Sequence, residues 1–581
     1  MQARVALGWL VRLIAPDRGF ITVAIIYGIG VSILSLATPI SVQMLINSVA
    51  NTALVTPLLT LSLALLLFLL IAVVLSALRV HIMEKFARRF YARLVAEITL
   101  HAIHARNPFF QDENRDDLFN RYFDVVTVQK AVPSILIGAF TILLQGGVGF
   151  VVTAFYHPFF LAFNMTVVTL GALIVLIWTR GAIRTGMQLS HTKYAAARWL
   201  ENVGASNGFY KSQDHAYYAM DRSDAVTHDY IEARRRHYRY TLSQTVAFLL
   251  LYALSSAALL ALGGWLVVQG QLSIGQLVAA ELILSVAFYG IGQIGAYFDT
   301  AYDLFAACEE IGQVFEVEQE NDEGRQQTRP AGGDLSFEEV QFDEPDDDVV
   351  FDFTIGAGRH VVACVSDHRM QRLFTGSLKR LTRPQSGLIT FGGEDIAALD
   401  TMLWRSEAIV LDRPNIVGTT IRDYLSLARP GISSGDMLAS LDLVGLRGRI
   451  GTLPEGLDTL LSTSGWPLAY ADIMKLKLAG AILKRPALLV LTGLFDMVDP
   501  EIIARVSRDD DLVDTTIVQF TVAPGADVNV AAELRARRQY LALAPREQKV
   551  LNGYAEFRAW MDVHSAPETS SDPMEAENAV S

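Results

Sequence analysis

Cysteine is almost missing from this 581-residue chain. Cys308 and Cys364 are the only two, and neither belongs to a CxxC or Cys/His constellation. That excludes a disulfide framework and a cysteine-based zinc site. Cys364 lies in an apolar strand-like run and reads as a core residue. Charge is also scarce, at 19% of residues, with a net of −13 and no long lysine or arginine run. Nucleic-acid binding needs a basic patch, so that class is set aside. The first residues are also expected to make a poor signal peptide. The opening MQARVALGWLVRLIAPDRGF is interrupted by Arg12 and lacks a small-residue cleavage site. Residues 1–19 are expected to form an amphipathic interfacial helix.

Apolar residues dominate instead, at 51% with a mean hydropathy of +0.32. They are concentrated before residue 305, whereas the chain beyond about 330 is acidic and reads as soluble. A membrane-spanning helix needs about 20 mainly apolar residues. Six segments meet that requirement, near 20–46, 56–79, 132–155, 158–179, 241–267 and 274–298. The flanking charges alternate. Segment 1–19 carries three Lys/Arg, 81–131 eight and 180–240 ten, while the three short connections between them carry none. Basic loops favour the cytoplasmic side, so both termini and both long loops are expected there.

The long loops keep helical patterning, as in ALRVHIMEKFARRFYARLVAEITLHAIHA, so the helices should run on into the cytosol. This layout resembles the membrane domain of ABC exporters, whose intracellular hairpins end in short coupling helices. Residues 107–125 resemble the surroundings of the first and 200–213 the second. The C-terminal part continues the resemblance in order and spacing. RPQSGLITFGGEDIAAL (383–399), LPEGLDTLL (453–461), RPALLVL (485–491) and DPE (499–501) are similar to successive stretches of an ATP-binding cassette. The expected fold is therefore a type 1 ABC exporter half. It comprises a six-span α-helical domain over 20–310, a linker at 311–333 and an α/β cassette over 334–562. The tail at 563–581 is polar and acidic, and is expected to be disordered.

The resemblance also marks what has been replaced. A phosphate-binding loop uses glycines for close backbone approach, a lysine for the β/γ charge and a hydroxyl for Mg²⁺. The corresponding glycine positions are Val365, His368 and Met370, with Gln371 at the lysine and Arg372 at the hydroxyl. Arg369 and Arg372 could attract an anion, but only generically. No GxxxxGK[ST] occurs in this domain. The adenine-stacking aromatic falls at Glu344 and the Q-loop glutamine at Asp412. The LSGGQ signature reads Leu468, Ala469, Tyr470, Ala471, Asp472. The Walker B acid falls at Thr492, the catalytic glutamate at Gly493 and the switch histidine at Val522. Mg²⁺ thus lacks its carboxylate and water its general base.

In this family each ATP lies between the P-loop of one half and the signature of the other, so a dimer is expected. The favoured reading is a pseudo-ATPase half paired with an intact ABC half. No cofactor is expected on this chain, and ATP with Mg²⁺ falls to the partner's P-loop and Walker residues. A second reading is a structural or regulatory scaffold, as a homodimer or within a larger envelope assembly. A third, an active exporter with displaced motifs, is opposed by losses at every motif. The short outer loops suit a bacterial inner membrane.

Three further residues invite two readings each. Asp496 and Asp499 could serve a metal, or simply cap loops. His368 could be a ligand or a solvated loop residue. Glu281, inside the sixth apolar segment, is costly in hydrocarbon unless it faces water or a partner. It is either a cavity-facing substrate or proton site, or a structural hydrogen-bonding residue with Gln145, Gln293 or a dimer mate as partner.

Overall fold

The computed structural model describes residues 2–52, 55–106, 116–320, 326, 332–343, 349–522 and 537–564. The chain divides into two compact units, Met1–Glu320 and Asn321–Ser581.

The first unit is helical. A short helix α1 (Gln2–Ile14) and a 3-10 turn (Ala15–Asp17) precede α2 (Arg18–Leu34), α3 (Ala37–Thr52) and α4 (Val55–Ile103). Then come α5 (Tyr122–Ser134), a π turn (Ile135–Ala139), α6 (Phe140–Ala154), α7 (Pro158–Ala205), α8 (Gln213–Val268) and α9 (Ile274–Phe315). Six helical stretches among the described residues are long and apolar enough to cross a membrane: Val5–Ile46, Leu58–Ile103, Leu118–Ala154, Pro158–Ala205, Gln213–Val268 and Ile274–Phe315. The chain is a multi-pass membrane protein. At 1.5 Å per residue, α4 is about 74 Å long, more than twice the ~30 Å hydrocarbon thickness. The basic, helix-patterned loops therefore continue the spans, as their sequence predicts.

The first span differs from the single helix expected over 20–46. It breaks at Ser35–Leu36, between α2 and α3. Pro39 stands in the first turn of α3 and has no N–H to give the Ser35 carbonyl, so the α-helical ladder cannot cross this point. The sixth helix also continues five residues into the stretch expected to be linker. Ile311 is fully buried, within a core shared with Phe86, Phe90, Leu94, Val125, Val128 and Leu304.

Close helix packing rests on small residues. A Cβ at Gly290 would come within 2.6 Å of Ile142 Cγ2, and one at Gly149 within 2.9 Å of Ile283 Cγ2. These glycines let α6 and α9 approach more closely than larger residues would, which is how helices associate where the surrounding solvent is itself apolar. At the N-terminal end Asp17 is buried against Arg89 at 3.1 Å and Arg93 at 2.9 Å.

The second unit is α/β. Strands β1 (Leu335–Phe342), β2 (Val349–Ile355), β4 (Ser386–Phe391) and β5 (Glu394–Asp395) form an antiparallel sheet in the order β2-β1-β4-β5. The main sheet runs β10-β9-β3-β8-β7-β6, built from β3 (His360–Val365), β6 (Ala408–Leu411), β7 (Leu488–Leu491), β8 (Thr516–Phe520), β9 (Arg538–Ala544) and β10 (Glu547–Leu551). Its pairs are parallel except β9 with β10. The parallel strands read as continuous apolar runs such as LLVL because both faces are covered. Helices α10 (His368–Leu378) and α11 (Thr401–Glu407) connect strands of the sheets. A helical insertion follows, α12 (Ile421–Ser426), α13 (Ser434–Leu443), α14 (Arg447–Gly451) and α15 (Tyr470–Lys484). Helix α16 (Pro500–Val506) lies between β7 and β8.

Candidate functional site

Sheet order brings the predicted positions to one edge. Val365 ends β3, Asp412 follows β6, Thr492 follows β7 and Val522 lies two residues beyond β8. These four strands are adjacent in the order β3-β8-β7-β6, so their carboxyl ends form one rim. Open α/β sheets bind ligands at this rim. The positions assigned to a nucleotide site by the cassette resemblance meet at this rim, and the side chains found there are occupied with one another.

Helix α10 begins at His368, and its first turn is capped from within. The Asp367 carboxylate accepts a hydrogen bond from the Arg369 amide at 3.0 Å, and Arg369 Nε lies 3.4 Å from its other oxygen. A helix N-terminus presents unpaired N–H groups that suit phosphate. Here the chain supplies its own anion, which takes one donor and repels a second negative group. His368 is exposed and Val365 half-buried. Met370 is fully buried, in the core that holds Phe337, Phe353 and Phe374. Arg372 is exposed.

Gln371 turns inward and is 8% exposed. Its Oε1 accepts a hydrogen bond from the Gly493 amide at 3.2 Å. Thr492 is buried, and its hydroxyl donates to the Leu411 carbonyl at 3.0 Å. The hydroxyl at the expected Walker B position thus joins the ends of β7 and β6. Asp412 is ion-paired with Lys379. Lys477 donates to the carbonyls of Arg413 at 2.6 Å and Asn415 at 3.1 Å, which fixes the backbone after β6. Burial pulls the Lys477 ammonium below the usual lysine range.

On the far side of β7, Asp496 Oδ2 accepts from the Val522 amide at 3.1 Å. Val522, at the expected switch-histidine position, is 78% exposed. Asp499 caps α16 by accepting from the Glu501 amide at 2.9 Å. Both carboxylates after β7 are therefore engaged with backbone N–H groups.

The stretch expected to correspond to the signature, residues 468–472, opens α15. Leu468 is buried and Ala469 occupies the N-cap position without a side-chain hydrogen bond. Tyr470 is exposed at the helix start, and Ala471 and Asp472 are half-buried in its first turn. Asp472 lies 3.8 Å from Arg449 Nε and 3.9 Å from Lys475 Nζ. A carboxylate again stands where a helix N-terminus would otherwise meet phosphate. Glu344 lies outside the described residues, as do residues 107–115 of the first coupling-helix region and 565–581 of the tail. At the second coupling-helix region, α7 ends at Ala205 and a single 3-10 turn, Phe209–Lys211, leads to α8.

Within the first unit, Glu281 Oε1 accepts from Ser285 Oγ at 3.1 Å, one turn along α9. The partner is Ser285, rather than Gln145 or Gln293. The other carboxylate oxygen of Glu281 is buried without a hydrogen-bond partner among the described residues. Arg79 is a second polar residue among the spans, and the sequence reading passed over it. It is 3% exposed, donates to Thr141 Oγ1 at 2.6 Å and bonds the Leu136 carbonyl in the π turn. A π turn leaves carbonyls displaced from the α-helical ladder, and Arg79 satisfies one of them. Its signal in sequence is one arginine at the end of an otherwise apolar run.

Residues 21–199 match the ABC transporter transmembrane region family. The chain is 22% identical over 507 residues to the leukotoxin translocation ATP-binding protein LktB of Mannheimia glucosida, covering 85% of this chain and 70% of the relative. The same figures hold for the protein of that name in Bibersteinia trehalosi. A solved bacterial Atm1-family ABC exporter with ATP bound superposes with a TM-score of 0.79 at 17% identity, covering 95% of this chain and 99% of that one.

Proposed function

We propose that this chain, which has the fold of an ABC exporter half, works as the non-hydrolysing half of a two-subunit exporter. The observation that carries this reading is the set of internal bonds at the sheet rim. Asp367 caps the helix that would cradle phosphate, and Gln371 bonds Gly493 where a lysine and an acid would hold Mg-ATP. Arginines nearby do not replace a positioned lysine and a metal-binding hydroxyl. The cassette serves as a docking and coupling platform, and an intact ABC half supplies ATP binding and power. In the inferred arrangement both termini lie in the cytoplasm and the membrane is the bacterial inner membrane. The apolar spans leave the choice of substrate open.

Native mass spectrometry of the tagged chain, gently extracted from its own membrane, tests the pairing. An intact ABC half at one-to-one ratio is the expected result. A homodimer, or a complex with non-ABC envelope proteins, overturns it in favour of a scaffold. Export by the partner should also fail when this chain is deleted.

A further inference from the structure

On the membrane unit, His191 of α7 faces two consecutive carboxylates of α9. His191 Nε2 lies 3.5 Å from Glu309 Oε2, and Nδ1 lies 3.4 Å from Glu310 Oε1. One nitrogen or oxygen from each of the three residues falls within 4.8 Å of the others. The positions are about 11 or 12 residues past the apolar parts of their helices, roughly 17 Å beyond the hydrocarbon at 1.5 Å per residue. Solvated ions can reach them there.

Two features distinguish this group from an ordinary surface cluster. Glu310 is fully buried, and only one of its oxygens is used: Oε2 accepts from Arg121 Nε at 3.0 Å. Oε1 lies beside the imidazole and makes no hydrogen bond among the described residues, and the same is true of Glu309 Oε2. A buried carboxylate oxygen left without a donor is costly. The charge is also unbalanced: with a neutral imidazole, two carboxylates face the single guanidinium of Arg121. A dication between the three side chains would satisfy both oxygens and reverse that imbalance.

We propose that His191, Glu309 and Glu310 form a binding site for a transition-type divalent cation, with zinc as the matched probe. Imidazole nitrogen with carboxylate oxygen suits zinc and its neighbours, whereas calcium and magnesium prefer sites made of oxygen alone. Ligand atoms around a tetrahedral zinc stand about 3.4 Å apart, given bonds of about 2.0–2.2 Å. The two short separations run from opposite ring nitrogens, of which one ion uses only one. A single imidazole nitrogen and the two carboxylate oxygens lie within 4.8 Å of one another, and side-chain rotation would draw them to that spacing. Arg121 acts as the outer partner that orients Glu310. His191, whose side chain is 45% exposed, gives the ion its way in from solvent and leaves a coordination position for water. A bound ion would fasten α7 to α9 at a level where the two helices have left the membrane.

The test uses the full chain in detergent micelles. Zinc binding is measured by equilibrium dialysis with elemental analysis, alongside the thermal unfolding midpoint with and without zinc. A single equivalent per chain and a raised midpoint are expected. His191→Ala and Glu309→Gln should each weaken binding by tenfold or more and abolish the zinc-dependent rise. Their unfolding midpoints without metal report whether each variant folds, and Glu309→Gln preserves shape if His191→Ala does not. Absence of zinc binding at micromolar concentrations overturns the proposal, as does equal binding by folded variants. A protonated imidazole bridging the two carboxylates with no metal is the outcome those results would favour.

Discussion

Gln371 Oε1 accepts a hydrogen bond from the Gly493 amide at 3.2 Å, tying the first turn of α10 to the end of β7. The two residues are 122 positions apart, and the cassette resemblance assigns them the lysine and catalytic-glutamate positions. Gln371→Ala leaves the partly buried Gly493 amide without this acceptor. A lost hydrogen bond with an unsatisfied buried partner costs about 1–3 kcal/mol. Hydrogen exchange measured on a peptide spanning Gly493 should become faster, while export by the assembled complex stays unchanged. Unchanged exchange would mean that the bond contributes nothing to the rim.

Asp367 tests the nucleotide question from the other side. Replacing an N-cap aspartate with alanine costs about 1 kcal/mol of helix stability. It also removes the carboxylate that stands in place of phosphate. Nucleotide binding is still not expected, because Gln371 carries no charge and Thr492 offers no carboxylate for Mg²⁺. Fluorescent ATP titrations should therefore show no micromolar affinity in the natural chain or in Asp367→Ala. Micromolar Mg-ATP binding by the natural chain would remove the basis for a non-hydrolysing half.

The cap at Asp367 was open to sequence reasoning, since an aspartate just before a helical run is a standard N-terminal signal. The six spans were equally legible, because apolar length and loop charge are local properties. The Gln371–Gly493 bond was not, because it depends on β7 and β3 being brought to one rim by the sheet order. Asp496 and Asp499 followed the same division. Sequence could offer metal binding or loop capping for them, and only the folded backbone shows amides at 3.1 and 2.9 Å. The break at Ser35–Leu36 had a visible cause in Pro39, but a strongly apolar window around it concealed the interruption. Arg79 was hidden for a related reason: its acceptor at Leu136 exists only because the third span contains a π turn.

Arg121 and Glu310 form a buried ion pair at 3.0 Å between the 3-10 helix Asp116–Arg121, just before α5, and helix α9. Removing one partner of such a pair strands the other charge, at a cost of about 3–5 kcal/mol. Arg121→Leu should therefore lower the unfolding midpoint of the detergent-solubilised chain well beyond the effect of an exposed substitution such as Arg88→Leu. Arg88 serves as the control because its pairing with Glu84 is solvent-exposed, and exposed pairs contribute about 0–1 kcal/mol. Equal effects of the two substitutions would show that Glu310 finds another partner or is neutral.

His360 sets a pH dependence in the cassette. It is buried in β3, and its pKa is pulled down to about 4, first by burial and then by Arg538 and Arg537 on the β9 side. In the unfolded chain it titrates near its ordinary value of about 6.5. Between these two values the unfolded state binds a proton that the folded state refuses. Stability contributed by the neutral imidazole is therefore complete above about pH 6.5 and falls as pH drops towards 4. At pH 5 the loss is about 2 kcal/mol, from the separation of the two titrations. The unfolding midpoint of the cassette transition should fall from pH 7 to pH 5 in the full chain. His360→Leu keeps an apolar side chain between β8 and β9 and removes the titration, so its midpoint should fall markedly less over the same interval. If the natural chain and the variant lose stability in parallel, the acid sensitivity belongs to other groups and His360 is protonated without cost to the fold.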